Sequence, residues 1–63
     1  MQPHQQRVVD EKSELDDKIT KLAAFTGGDI FKSLEHLDQE LLSQQLVHMR
    51  NYSETLSLRI ERF

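Results

Sequence analysis

One pair of adjacent glycines interrupts two long stretches that contain no other helix-breaking residue. Gly27 and Gly28 are the only glycines among the 63 residues, and Pro3 is the only proline. Proline suits the first turn of a helix, and glycine is typical of a helix end. The sequence therefore predicts one all-α domain, residues 1–63. It should be an antiparallel helical hairpin of two main helices with a short helical turn in the connection.

The first helix is predicted to run from about Pro3 to Phe25. Its apolar residues recur at helical spacing and form one narrow stripe: Val8, Leu15, Ile19 and Leu22. After this helix, one of the two glycines is expected to take the left-handed conformation that ends many helices, and Asp29 is expected to cap the helix that follows. The chain is therefore expected to reverse direction at residues 26–29.

The second main helix is predicted to run from Ser33 or Leu37 to about Arg62, with Ser33 or Asp38 as its cap. A short amphipathic turn precedes it, with the apolar residues Ile30, Phe31 and Leu34. The helix carries a heptad seam of apolar residues, in which Ser53 is the one polar interruption. The seam consists of Leu42, Leu46, Met49, Leu56, Ile60 and Phe63.

This seam exposes more apolar surface than the stripe of the first helix can cover. It is widened on one side by Leu34, Leu41 and Tyr52, and other apolar residues lie away from both stripes: Val9, Val47 and Leu58. A chain this short buries only about 60% of the surface of its unfolded form. Since it has no cysteine, it cannot add a disulfide. The sequence therefore predicts that the hairpin assembles into a helical homo-oligomer.

Composition and motifs argue against several classes of function. A net charge of −3 disfavours binding to DNA or RNA. No apolar run reaches the roughly 18 residues of a membrane span, and the first residues lack a secretory layout, so the host-cell cytoplasm is the expected location. His4, His36 and His48 are not spaced as metal ligands, and no nucleophile motif or phosphate-binding loop is present. We expect no catalytic residue, no metal and no cofactor.

A polar and aromatic edge runs beside the seam of the second helix: Gln45, His48, Tyr52 and Arg59. Tyr52 offers a flat ring for stacking, and Arg59 offers a guanidinium suited to phosphate. On the first helix, Arg7 and Lys18 flank one side of the apolar stripe and Lys12 flanks the other. These seven residues are the predicted ligand-binding residues. Alternatively, Tyr52 only covers the core and the cations pair with the surface acids Glu11, Glu14 and Asp16.

Two stretches match a family pattern: Gln5 to Ile19 with Leu22 and Phe25, and then Leu41-Leu42, Gln45, Met49, Tyr52-Ser53, Leu56 and Arg59-Ile60. The pattern resembles very short phage and prophage proteins, and through them the helical-hairpin domain shared by phage anti-CBASS and Thoeris anti-defence sponges. The resemblance implies a non-enzymatic helical oligomer, often a hexamer, that captures cyclic nucleotide messengers. In those sponges a tyrosine of the N-terminal helix stacks on a base. No aromatic residue precedes Phe25 here, so either base stacking is absent or Tyr52 is expected to provide it.

Two hypotheses for function follow. In the first, the protein is a sponge that binds a cyclic nucleotide or an ADP-ribose-derived messenger between protomers, without cleaving it. In the second, it is a helical interaction module that docks its spare apolar seam on a host or phage protein. A sponge should gain thermal stability from nucleotide, because a ligand that binds only the folded form stabilises it by mass action. A docking module should not respond to nucleotide.

Overall fold

The computed structural model describes all residues 1–63 and contains only helices and their connections. Helix α1 spans Pro3–Thr26, α2 spans Asp29–Ser33 and α3 spans His36–Glu61. The two long helices pack antiparallel along their length, and α2 lies in the connection between them. The predicted all-α hairpin with a short helical turn is therefore confirmed. The ends of both main helices lie within one or two residues of their expected positions.

The chain reverses through a right-handed turn, and the expected left-handed glycine is wrong. Gly27 has φ −88° and ψ −3°, Gly28 is extended with φ −96° and ψ 173°, and no residue has a positive φ. The N–H groups of Gly27 and Gly28 donate to the carbonyl oxygens of Ala24 and Phe25, at 3.2 and 3.0 Å. Because these bonds already occupy the last carbonyls of α1, the helix ends without a left-handed residue.

The expected side-chain caps are also absent. Asp29 is the first residue of α2 and Ser33 is its last, while α3 begins after Glu35. Neither of these two helix starts has a side-chain cap hydrogen bond. Asp29 and Asp38 instead lie in the first turns of α2 and α3. A carboxylate there is favoured by the positive end of the helix dipole, without a direct bond to a backbone N–H.

Two contacts of other kinds hold the connection against the long helices. The side-chain amide of Gln39 donates to the carbonyl oxygens of Phe31, Lys32 and Leu34, at 2.9, 3.3 and 3.2 Å. The rings of Phe25 and Phe31 meet edge to face, with centroids 6.4 Å apart. The first contact ties α2 to α3 and the second ties it to α1, so the turn has a defined position at one end of the hairpin.

The core is a single row of side chains between α1 and α3. Only five of the 63 residues are buried: Val8, Leu15, Leu46, Ser53 and Leu56. Leu56 is fully buried and forms one cluster with Val8 and Leu15, against which the partly exposed Ile19, Met49 and Ile60 pack. The hairpin measures 46 × 14 × 13 Å, and its accessible surface is 4897 Å². A compact 7.4 kDa monomer would expose about 4,200 Å², so this chain retains an excess of exposed surface.

The conformation of Gly27 leads to a test by substitution with alanine. Since its φ is negative and an added Cβ would lie 3.7 Å from the nearest atom, Gly27→Ala should fit without strain. It should raise the free energy of unfolding by about 0.4–1 kcal/mol, because alanine restricts the unfolded chain. Urea unfolding would measure this, with Ala24→Gly in the last turns of α1 as a control that should lose about 1 kcal/mol. A loss of stability in Gly27→Ala would indicate a left-handed turn instead.

Candidate functional site

Six of the seven predicted ligand-binding residues lie on one broad face of the hairpin. At about 100° per residue, Arg7 and Lys18 lie roughly 70–90° to one side of the buried stripe of α1, and Lys12 lies about 50° to the other side. On α3, the edge residues lie roughly 60–120° to one side of the stripe of Leu46 and Leu56: Gln45, Tyr52, Arg59 and His48. When two antiparallel helices face each other, residues that are displaced from the two stripes in the same rotational sense lie on the same side of the hairpin. We call the side with Arg7 and Tyr52 the groove face.

The groove face contains an open depression of about 400 Å³ along α3. It is lined by Leu41, Gln44, Gln45, His48, Met49 and Tyr52. Tyr52 is 45% exposed and Leu41 is 53% exposed, so an aromatic ring and an aliphatic side chain are available to a ligand or partner. The side chains of Gln45 and His48 are also exposed and supply polar groups. This depression brings together three of the predicted residues, namely Gln45, His48 and Tyr52.

The cations of the groove face have no ion-pair partner. The three ion pairs of the structure all join residues four apart in one helix: Lys12–Asp16, Lys21–Asp17 and His36–Glu40. The alternative in which surface acids neutralise the cations therefore applies to Lys12 alone. Arg7, Lys18 and Arg59 remain available to an anion, although Glu11 and Glu14 lie on the same flank of α1 and reduce the positive potential there.

The cations form two groups along the length of the groove face. Ser53 contacts both Lys12 and Asp16, so it lies level with about residue 14 of α1. Counting from there along the antiparallel helices, Lys18 lies about level with Met49, next to His48, and Arg7 lies about level with Ile60, next to Arg59. The two levels are about 16 Å apart, at 1.5 Å per residue. A ligand would reach both levels only if it extended along the groove.

Lys12 lies on the opposite face, in a polar cluster between the helices. Its ammonium donates to Asp16 Oδ2 at 2.7 Å and to Ser53 Oγ at 3.0 Å, and Ser53 Oγ donates to Asp16 Oδ1 at 2.5 Å. Ser53 is buried, and its two bonds, with Lys12 and with Asp16, are the hydrogen bonds that link α1 to α3 directly. The bonds from Lys12 and Ser53 lower the pKa of the Asp16 carboxyl below its ordinary value of 3.8. The cluster therefore fixes the alignment of α1 against α3 at Ser53, the one polar residue of the seam.

A second depression, of about 450 Å³, lies near the connection and shares Gln44 with the first. Its polar groups are already in use. The Gln39 amide is bonded to three carbonyl oxygens, and His36 Nε2 lies 3.1 Å from Glu40 Oε1. The Glu40 carboxylate would also repel an anion. The groove face is therefore the better candidate site.

Sequence reasoning missed some of these residues. Gln44 and Met49 line the groove, and Asp16 and Ser53 engage Lys12. A serine inside an otherwise apolar heptad seam was the available signal for a buried polar contact. No group of three or more His, Asp or Glu side chains is placed to hold a metal ion. None of the three helices is long and apolar enough to cross a membrane.

Comparison with known proteins identifies the family. The family model of Sequestin matches residues 2–62, almost the entire chain. The chain belongs to the Sequestin family. It is also 36% identical over 63 residues to an Enterobacteria phage T4 protein described as an uncharacterized 7.5 kDa protein in the denB-rIIB intergenic region. This match covers 100% of the chain and 98% of the phage protein. No solved structure matches the chain.

These comparisons confirm the resemblance to small phage hairpin proteins at the level of the family. The family name implies that its members sequester some target, and it suggests a binding protein rather than a catalyst. The phage relative has nearly the same length, so the shared unit is the whole hairpin. The name does not specify the target.

The polar cluster predicts a pH dependence of stability. Because the pKa of Asp16 is lower in the folded protein than its ordinary value, its stabilising effect is present above about pH 4 and is lost as the pH falls through the folded value. Urea unfolding at pH 7 and pH 3 should show a smaller acid-induced loss in Asp16→Asn than in the wild type. Asp17→Asn, which breaks only the exposed pair with Lys21, should keep the full loss. An unchanged acid response in Asp16→Asn would exclude this role.

Proposed function

We propose that this Sequestin-family hairpin is a phage-type sponge. It binds cyclic nucleotide immune messengers, of the CBASS or Thoeris type, between copies of itself and holds them without cleavage. The observation that carries the proposal is the groove face, where three unpaired cations lie on the same side as an exposed tyrosine. Phosphates require cations and bases require a flat face, so a nucleotide fits this combination better than a neutral or cationic ligand does.

The arrangement of the cations favours an elongated ligand with more than one phosphate. The groups at Lys18 with His48 and at Arg7 with Arg59 lie about 16 Å apart along the helix axes. Because arginine and lysine side chains are long, the charged groups of the two levels can lie closer together than their backbones do. A cyclic oligonucleotide or an ADP-ribose derivative carries separated phosphates and at least one base, whereas a single phosphate could reach only one group. Tyr52 lies between the two levels and is placed to stack on a base.

Binding between copies is supported by the openness of the groove. A single hairpin offers only one wall to a ligand, and a shallow surface leaves most of the ligand in water. Tight capture requires a second wall, and a second hairpin can supply it. Symmetry would also bring further copies of Arg7, Lys18 and Arg59 to the ligand. The size of the assembly, for which the sponge resemblance implies a hexamer, is part of this proposal.

Thermal unfolding in the presence of nucleotides tests the proposal. The protein would be screened against cyclic di- and trinucleotides and cyclic ADP-ribose isomers. A ligand at 100 times its dissociation constant stabilises by about 2.7 kcal/mol, which should raise the melting temperature by roughly 10–20 °C for a chain of this size. Linear AMP serves as a control and should produce little change. No shift with any member of the panel would reject the sponge.

Substitutions on the groove face test which residues bind the ligand. Arg7→Ala, Lys18→Ala and Arg59→Ala should each weaken binding about 10- to 100-fold in calorimetry, since a charge-assisted hydrogen bond contributes about 1.5–3 kcal/mol. Tyr52→Ala should cost about 1–3 kcal/mol of stacking. Glu14→Gln should strengthen binding by removing a like charge.

Two cation substitutions away from the groove face serve as controls. Lys32→Ala, in α2, should bind normally, and Lys12→Ala should reduce folding stability more than affinity because Lys12 bonds to Asp16 and Ser53. Undiminished affinity in the Arg7, Lys18 and Arg59 variants would leave these cations as ordinary surface charges.

A second candidate function is supported by the apolar residues near the connection. Ile30, Leu37 and Leu41 are 67%, 63% and 53% exposed, so this end of the hairpin offers three large apolar side chains to a partner. Such a surface could dock on a host or phage protein, as an amphipathic helix fills a groove. The two functions separate in the thermal screen, because a docking module should not respond to nucleotide. Leu37→Ala should abolish docking and leave nucleotide binding unchanged.

A further inference from the structure

The negative charge of the protein is concentrated at the connection between the long helices. Residues 29–41 contain four acids and one lysine, which gives this segment a net charge of −3. The whole chain has the same net charge, because the other 50 residues carry seven acids and seven bases. The connection end of the hairpin is therefore acidic, whereas the groove face carries three unpaired cations.

The same end exposes two leucines between two carboxylates. Leu37 and Leu41 are 63% and 53% exposed and lie one turn apart on α3. At about 100° per residue, Asp38 lies roughly 80° to one side of this pair and Glu40 lies roughly 80° to the other side. Asp38 has no ion-pair partner, and Glu40 pairs only with the exposed His36. We call these two leucines and two acids the acidic leucine face.

We infer that the acidic leucine face docks an amphipathic helix of another protein, whose apolar stripe is flanked by lysine or arginine. The partner's stripe removes Leu37 and Leu41 from water, and its basic flanks pair with Asp38 and Glu40. Charged residues beside an apolar seam select partners in this way in coiled coils. The inference rests on the docking function proposed above and specifies the chemistry of the partner.

The charges at this end disfavour other occupants. A nucleotide or an acidic helix would be repelled by the two carboxylates, and a second copy that presented the same face would bring like charges together. The docked helix also leaves the nucleotide site open. Leu41 lies 11 residues from Tyr52, about 16 Å along α3, so a helix about 10 Å wide that crosses α3 at Leu37 and Leu41 does not cover the tyrosine ring.

Two synthetic peptides test the inference. Each has about 18 residues, enough to form a helix, with leucines at helical spacing. One carries lysine on both flanks of the leucine stripe, and the other carries glutamate. Calorimetry without nucleotide should detect binding of the lysine peptide and not of the glutamate peptide. The lysine peptide should bind more weakly to Leu37→Ala, and more weakly to the wild type at about 0.5 M salt, which screens exposed charges.

Charge reversal locates the binding surface. Asp38→Lys with Glu40→Lys should weaken binding of the lysine peptide roughly tenfold or more, since each exposed ion pair contributes up to about fivefold in affinity. This double variant should bind the glutamate peptide instead. Asp10→Lys with Asp17→Lys changes the net charge equally on the outer side of α1, and it should retain most of the affinity for the lysine peptide.

Glu40→Lys alone repeats the test without altering Asp38, which lies in the first turn of α3. Circular dichroism checks that each variant folds. Equal binding of both peptides would retain a docking surface but overturn the basic partner, and binding of neither would reject docking at this face. Equal weakening in the two double variants would indicate unspecific attraction and overturn the inference.

Sedimentation of Leu37→Ala without peptide distinguishes a partner protein from a second copy. The variant should have the same mass as the wild type. A smaller assembly would show that the face lies between copies of this chain, which contradicts the inference. Since no nucleotide is present in any of these measurements, failure of the sponge proposal would leave their results unaffected.

Discussion

The structure depends on the fact that one long helix can cover only one side of another. Burial of apolar surface stabilises a small domain, yet this hairpin buries only five residues, in one row between α1 and α3. The remaining apolar side chains of α3, such as Leu41 and Tyr52, lie beside that row and stay exposed. The same constraint leaves uncovered the surface at which we propose that a ligand binds.

The cluster of Lys12, Asp16 and Ser53 converts this simple packing into a defined register. Apolar side chains alone would allow the two helices to slide past each other, because a row of leucines offers several similar fits. A buried serine bonded to a lysine–aspartate pair is satisfied in only one alignment. That alignment brings Lys18 close to the level of His48 and Arg7 close to the level of Arg59. A structural contact on one face therefore determines the spacing of the cations on the other.

The hairpin itself could be predicted from the sequence, because two breaker-free stretches with apolar residues at helical spacing leave few other folds. The backbone conformation of the turn could not be predicted. Gly27 tolerates left- and right-handed conformations equally, and only the local hydrogen bonds select one of them. Candidate residues on one helix edge, such as Tyr52, were predicted from their helical spacing, which places them on one side of α3. The engagement of Lys12 was missed because its partner Ser53 is 41 residues away, and a single sequence does not reveal which residues of two helices lie level.

The central claim is that the hairpin sequesters a nucleotide and leaves it unchanged. The most direct measurement is to incubate the protein with a tightly bound messenger, release the messenger by heat, and quantify it by mass spectrometry. We expect recovery of the intact cyclic molecule in an amount proportional to protein, with the protein isolated as an oligomer rather than a 7.4 kDa monomer. A linearised or cleaved product, or a monomer with no retained nucleotide, would contradict it.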